Sequence, residues 1–475
     1  MVGNGLEETK WCDTVNVLFA SAEFAPLVRV GGLAEATSGL VHQLRSDGVD
    51  VEVVIPDYFD TPLADETSVS LDVPDWAGPA VARSGMSEKA GPVTFISVPG
   101  VQRPNPYVDA NGDGWSDNPD RFFAFSAAVG ALADLRQPDV VHCNDWHTAL
   151  TFGFLPGGVP TVFTIHTLGY QGWTSGGWLD RIPHHSEAFE RHGGTNPVAG
   201  AITLADRVVA VSPNYADEIR TPEGGSGLHE EMIALGDRLV GIRNGIDTGV
   251  WNPSTDAFIE ADYAPDAMAG KSVCREKLLD AVGWADSEVP VVGVVTRLVE
   301  QKGIDILLDT VRYADLMPFR LVILGSGEKW LADYARHLAT EFPETVAFHD
   351  GYDVAFGHEI FAGADLLAMP SRFEPCGLAQ MQAMEYGTIP VVTAVGGLVD
   401  TVIDADLDPE IGNGFVSQSV DSAGFVDALH RAVRAWSDLG RRGAIQQRGM
   451  KADWSWREPA RRQIEMYIEI VNRKS

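Results

Sequence analysis

"VNVLFASAEFAPLVRVGGLAEATSGLVHQLRSDGVDVEVVIP", residues 15–56, decides the fold class. It opens on an apolar, β-branched run and turns through two adjacent glycines. It continues with apolar residues near helical spacing and stops at Gly48, a residue type suited to the position just past a helix. A second apolar run, 49–56, follows at once. Strand, helix and strand in so short a span make a βαβ unit, whose strands are parallel and covered on both faces.

The same alternation extends outward. Runs at 93–99, 139–145, 160–166 and 206–212 read as further buried strands. The pattern restarts at 289–297, 319–327, 345–351, 364–371 and 389–397. Between the two sets, 240–285 has no strong strand run and holds the turn-rich "NGIDTGVWNPSTD" (244–256), which puts a boundary near 248–255. "REPARRQIEMYIEIVNRKS" reads as a last helix. The expected fold is α/β, with two doubly wound, Rossmann-like parallel-sheet domains facing a cleft. Their spans are 1–250 and 251–455, followed by the helix at 456–475.

Composition narrows the function classes. The net charge of −32 repels nucleic acid and anionic membranes, so neither is an expected partner. No apolar run is long enough to span a bilayer. "MVGNGLEETKWCD" lacks the apolar core of a signal peptide. Cys12, Cys143, Cys274 and Cys376 show neither metal spacing nor a disulfide framework, so a reduced, cytoplasmic setting is expected. The cations are 27 Arg against 8 Lys, which fits a salt-adapted organism or a GC-rich genome equally well. In so acidic a chain, a cation beside a glycine turn carries weight.

Arg29 is such a cation, just ahead of Gly31 and Gly32. The turn reads either as an anion site at a helix start or as a tight strand-to-helix turn. It is not GxGxxG, so a nicotinamide dehydrogenase is not supported. "MPSRFEPCGLAQMQAMEYG" (369–387) is more unusual: a strand end, then Glu374, then Gly377 opening a helix that Gly387 closes. It reads as an anion cradle with a carboxylate beside it, or as a glutamate capping its own helix. "VTRLVEQKGID" ends a strand at Arg297 and offers Lys302, a cation pair suited to a diphosphate leaving group. "NDWHTAL" and "FTIHTLGYQG" set Asp145, His147 and His166 at strand ends. A lone histidine is commonly structural, whereas several polar strand ends converging on one cleft indicate a site.

"DANGDGWSDNPD" (109–120) scans almost as a calcium loop, with Asp109, Asn111, Asp113, Gly114, Asp117 and Asp120 at positions 1, 3, 5, 6, 9 and 12. A Pro-rich lead-in, Pro119, Ser116 at position 8 and Asp in place of Glu at position 12 count against it.

Taken together these motifs resemble the bacterial glycogen synthases and plant starch synthases, retaining GT-B glucosyltransferases. The resemblance covers nearly the whole chain, from "PLVRVGGL" through "PYVDANGDGWSDNPDRF", "VVHCNDWHTAL", "VFTIHTLGYQG", "TPEGGSGL", "NGIDTGVWNP" and "TRLVEQKGID" to "SRFEPCGL" and "GTIPVVTAVGGLVDTV". It implies that Glu374 lies beside the transferred sugar, that Arg297 and Lys302 grip the departing diphosphate, and that Gly377, Leu378 and Ala379 cradle phosphate through their N–H groups. Cys376 falls within the same donor motif, and Arg29, Gly31 and Gly32 form its N-terminal counterpart. Tyr352 matches an aromatic stacked on the base, His166 a histidine near the sugar 6-hydroxyl, and Asp145 an acid on the acceptor side. Tyr107 and Asn244 fall in motifs lining the cleft. The last helix is expected to cross back onto the first domain.

The implied chemistry is transfer of glucose from ADP-glucose to the non-reducing end of an α-1,4-glucan. No cofactor and no metal is called for, because Arg and Lys supply the positive charge. Alternatives are a related transferase using UDP-glucose or another acceptor, and a degenerate glucan-binding paralogue. Three departures bear on donor and rate: Arg29 stands where the family has lysine, Thr167 where it has asparagine, and Ala379 where threonine is common. No motif speaks to oligomeric state.

Overall fold

The computed structural model describes residues 15–109 and 112–474. The signal-peptide reading, Cys12 and Asn111 fall outside the described residues. The chain forms two compact units. One holds the residues up to Ala210, Ile219–Ile242 and the chain from Arg457 on; the other holds Val211–Glu218 and Arg243–Trp456.

The first unit is built on a nine-stranded sheet. Its strands are β1 (Asn16–Ala20), β2 (Asp50–Pro56), β3 (Ala64–Leu71), β4 (Ala80–Ser87), β5 (Gly91–Ser97), β6 (Val140–Asn144) and β7 (Thr161–Ile165). After a small sheet of β8 (Thr174–Ser175), β9 (Glu190–Arg191) and β10 (Gly194–Thr195), β11 (Arg207–Ala210) and β12 (Leu239–Gly241) complete it. The order is β12-β11-β7-β6-β1-β2-β5-β4-β3. Valines and isoleucines dominate the central strands, and Val17, Leu18, Phe19, Val140, Val141 and Val162 have no exposed surface. Each such side chain contributes about 1.5–3 kcal/mol of burial.

The expected doubly wound parallel arrangement holds from β12 to β5, and an antiparallel hairpin that the sequence reading did not include extends its edge. β3 and β4 pair antiparallel, and β4 pairs antiparallel with β5. Most of "ADETSVSL" in β3 is exposed, so this edge hairpin lacks the apolar run that marks the buried strands. The opening βαβ unit forms as read, with the helix Gly32–Ser46 between β1 and β2 and Gly48 at φ +92°. The last helix, Arg457–Lys474, belongs to this unit. Its Tyr467 hydroxyl lies 2.6 Å from His142 Nδ1 on β6, and its Glu469 accepts from Arg207 Nη2 at 2.9 Å.

The second unit has a six-stranded parallel sheet of β13 (Val291–Val295), β14 (Arg320–Gly325), β15 (Val346–Asp350), β16 (Leu366–Met369), β17 (Ile389–Thr393) and β18 (Phe415–Ser417). Its order is β15-β14-β13-β16-β17-β18, the Rossmann order in which the chain reverses direction across the sheet between its first and fourth strands. The first unit reverses the same way between β1 and β6. Crevices at the carboxyl ends of such strands are where open α/β sheets bind ligands. Among the described residues no helix is long and apolar enough to cross a membrane.

Candidate active site

In the first unit the chain leaves β1 at Ala20 and β6 at Asn144, on either side of the reversal. Asp145 follows β6 with φ +55°, a conformation that strains a residue bearing a Cβ and is found mainly at functional positions. Its Oδ1 accepts from the backbone N–H of His166 at 2.7 Å and of Thr167 at 3.3 Å. Burial pushes the Asp145 carboxyl up to about 7, against the lowering effect of those two N–H groups and with a smaller upward push from Glu23. Thr167 thus supplies a backbone donor where the departure from asparagine removes an amide.

His166 follows β7. Asn144 Nδ2 donates to the Ala20 carbonyl at 3.0 Å, so its Oδ1 faces His166 Nε2, also at 3.0 Å. An amide oxygen only accepts, so the imidazole carries its proton on Nε2 and its lone pair on Nδ1. Burial pushes the His166 pKa down to about 3, which keeps the ring neutral. Tyr107 stacks on His147 with ring centroids 4.9 Å apart and donates its hydroxyl to Glu23 Oε1 at 2.8 Å.

Glu23 was not singled out from the sequence, and it alters the reading of the glycine turn. Its Oε2 accepts from Val30 N at 2.7 Å and Gly31 N at 2.9 Å. Those two backbone donors are therefore engaged by an internal carboxylate and are not free for an anion. What the turn leaves open is space: a Cβ at Gly31 or Gly32 would meet nothing within 4 Å. Gly31 is extended, with φ −152° and ψ −162°. Arg29 is paired with Glu35, one turn into the following helix, with 42% of its side chain exposed.

In the second unit β13 and β16 flank the reversal. Glu374, after β16, is 5% exposed. Its Oε2 accepts from Lys302 Nζ at 2.5 Å and from Ser371 Oγ at 3.1 Å. Arg297, after β13, is exposed. The glutamate's loop is tied from several directions. Arg372 makes a bidentate pair with Asp305, both contacts at 2.7 Å, and Gln301 Nε2 donates to Phe373 O at 3.0 Å. Thr393 Oγ1 donates to Ser371 O at 2.5 Å, and Gly397 N to Glu374 O at 3.0 Å.

Two glycines permit this packing. Gly303 has φ +63° and Gly396 φ +47°, and a Cβ would overlap the Pro370 carbonyl in the first case and the Glu374 carbonyl in the second. Neither had been marked as part of the site. Both stand in glycine-bearing strand-end turns, "QKGID" and "VGGLV", a signal that was available.

Gly377 takes φ +74° ahead of the short helix Ala379–Glu385, and the N–H groups of Gly377 and Leu378 donate to no described residue. Gln380 Nε2 fastens the turn from below, donating to Cys376 O at 3.1 Å and Gly377 O at 3.0 Å. Cys376 is buried, and burial pushes its thiol up to about 12, partly offset by the backbone N–H of Asn244. It is a packing residue, not a reactive thiolate. Asn244 is itself buried and shares this unit. Tyr352, just past β15, is 72% exposed.

The 109–120 loop has Asp109 Oδ1 accepting from Asp113 N at 3.0 Å, while Asp117 accepts from Arg103 at 2.5 Å. Two of the would-be ligands thus serve the turn and an ion pair. No group of three or more His, Cys, Asp or Glu among the described residues is arranged to hold a metal.

Residues 16–234 match the family model described as the starch synthase catalytic domain, and residues 279–448 the model for glycosyl transferases group 1. Glycogen synthase 1 of Methylococcus capsulatus is 38% identical, covering 96% of this chain and 97% of that protein. Glycogen synthase of Halorhodospira halophila is also 38% identical, covering 96% and 99%. The solved catalytic domain of starch synthase IV from Arabidopsis thaliana, bound to ADP and acarbose, is 33% identical. It superposes with a TM-score of 0.86, covering 97% of this chain and all of that one. Two Rossmann-like units, polar strand ends at both sheet reversals and near-complete alignment agree: the chain belongs to the glycogen and starch synthases, glycosyltransferases of the GT-B fold.

Proposed function

We propose that the donor is ADP-glucose and that glucose passes, with retention, to the non-reducing end of an α-1,4-glucan. The observation that carries the residue assignment is the Lys302–Glu374 pair at the sheet reversal of the second unit, with Arg297 exposed nearby. A diphosphate arriving there meets Lys302 and Arg297, which offset charge developing on the leaving group. The Gly377–Leu378–Ala379 turn offers backbone N–H groups to phosphate oxygens. Lys302 is shared between the two anions, so its ammonium holds Glu374 in place while the donor binds. Glu374, a carboxylate, stabilises positive charge at the sugar's reacting carbon. Positioning and leaving-group stabilisation do most of the work in this reading, with no strong base required.

The first unit serves the glucan and the second the nucleotide sugar. His166, neutral with its lone pair on Nδ1, accepts a hydrogen bond from a sugar hydroxyl. Asp145, with its carboxyl near neutrality, faces the acceptor side. Arg29, beside the open backbone at Gly31 and Gly32, is the cation that the first unit offers to an anionic group of the substrate, after exchanging its pair with Glu35. Tyr352 stacks on the base. The ADP assignment draws support from the ADP carried by the Arabidopsis relative. Arg29, with a planar fork in place of an ammonium, keeps a second reading in view, in which UDP-glucose is the better donor.

Labelled glucose transferred to glycogen from ADP-glucose should be released by an exo-acting α-1,4-glucanase working from non-reducing ends. Label that resists release would contradict the linkage or the end assigned.

A further inference from the structure

Outside the strand-end residues, the first unit carries two large aromatics in the open on one loop. Tyr170 is 61% exposed and Trp173 49%. Both lie on the segment between β7, which His166 follows, and β8. Exposed aromatics on floppy loops are unremarkable, but this loop is fastened. Tyr170 N donates to Thr167 O at 3.2 Å. Gln171 Nε2 donates to Ser226 O at 2.9 Å, and its Oε1 accepts from Asn196 Nδ2 at 2.7 Å. Asn196 is fully buried and caps the helix Pro197–Leu204.

The indole itself is seated. It lies nearly parallel to the His192 ring, with centroids 6.1 Å apart and planes at 15°. Its edge rests over β10, where a Cβ at Gly194 would come within 2.6 Å of Nε1. The ring is thus held rigid by a glycine and an imidazole while half its surface stays open. Little conformational entropy remains to be lost when something stacks on it.

The surrounding charge selects the ligand class. Arg191 is paired with Glu231, and Glu190 Oε1 accepts from Gly193 N at 2.8 Å. The exposed Glu190 carboxylate keeps its negative charge, which disfavours an anionic ligand and offers an acceptor to a hydroxyl. An open aromatic face with an exposed imidazole beside it suits a neutral, hydroxyl-rich ligand, whose C–H faces pack on the ring while hydroxyls bond to polar neighbours. The seven residue steps from His166 to Trp173 span at most about 25 Å, and the turn at Thr167–Tyr170 shortens that. A polymeric acceptor engaged near His166 has a chain long enough to reach.

We propose that Trp173, with Tyr170, forms an accessory platform on which a neutral α-glucan chain stacks away from its reacting end. This rests on the glucan-acceptor reading above.

The test combines native electrophoresis in glycogen-containing gels with initial rates of nucleotide release. The wild-type protein is expected to be retarded by glycogen. Trp173→Ala should lose most of that retardation and raise the KM for glycogen about 3- to 10-fold. The kcat at saturating glycogen and the donor KM should be unchanged. Trp173→Phe should recover most of the loss, and Tyr170→Ala should shift both readouts in the same direction. If Trp173→Ala does not fold, Tyr170→Ala decides the matter by the same two readouts. Wild-type retardation and glycogen KM in Trp173→Ala, or in Tyr170→Ala where Trp173→Ala does not fold, would overturn the platform, and would leave this face to a protein partner. Retardation that depends on Trp173 in a protein releasing no nucleotide would uphold the platform and sink the synthase reading instead.

Discussion

Lys302 Nζ lies 2.5 Å from Glu374 Oε2 and joins the carboxyl ends of β13 and β16, the two strands that flank the sheet reversal of the second unit. Lys302→Met removes the cation and leaves a buried carboxylate with only the Ser371 hydroxyl, at a cost of about 1–3 kcal/mol. A lowered Tm is expected. The double variant Lys302→Met/Glu374→Gln should be more stable than the sum of the two singles, with a coupling of about 0.5–3 kcal/mol. Additive losses would mean the contact carries no coupling.

Asp145 has a carboxyl raised from 3.8 to about 7 by burial. A folded-state value above the unfolded one means that the native protein holds the extra proton between about pH 4 and 7. Its stability therefore falls as pH rises through that window. Asp145→Asn removes this dependence and keeps an oxygen to accept from His166 N. Relative to wild type, the variant should gain stability from pH 4 to pH 7, on the order of a few kcal/mol in total. Thermal melts across that range check it, and parallel curves for the two proteins would refute the burial argument.

Gly303 and Gly396 combine positive φ with no room for a Cβ against the Pro370 and Glu374 carbonyls. Gly303→Ala and Gly396→Ala should each cost about 2 kcal/mol or more and displace the Glu374 loop, lowering activity further than the Tm shift explains. Gly31→Ala, placed in open space in extended backbone, should leave the Tm nearly unchanged while raising the donor KM. Equal effects on Tm at all three positions would contradict the distinction.

Arg29 is paired with Glu35 at the surface. Arg29→Lys should alter stability by less than about 0.5 kcal/mol. It should change the ratio of kcat/KM for ADP-glucose over UDP-glucose, since a fork and a point charge hold phosphate differently. An unchanged ratio would make the substitution neutral.

The strands and the strand-end residues were legible because buried parallel strands need continuous β-branched runs, and a charge at the end of such a run stands out. Glu374, Lys302, Asp145 and His166 were found in that way. The β3–β4 hairpin was not, since "ADETSVSL" has a polar, exposed surface. Glu23 escaped notice because one acid in "SAEFAP" carries no local pattern. Its meaning comes from Tyr107, 84 residues away. The hydrogen bond from Thr393 to Ser371 O is likewise a product of sheet order, which no short window displays.

The central claim is donor-dependent glucosyl transfer by the Glu374–Lys302 site, and nucleotide release in the presence of glycogen tests it most directly. With ADP-glucose, the wild-type protein should release ADP only when glycogen is present, and faster than it releases UDP from UDP-glucose. Glu374→Ala should release neither while retaining its fold. No release with either donor, or release by Glu374→Ala at the wild-type rate, would contradict the account.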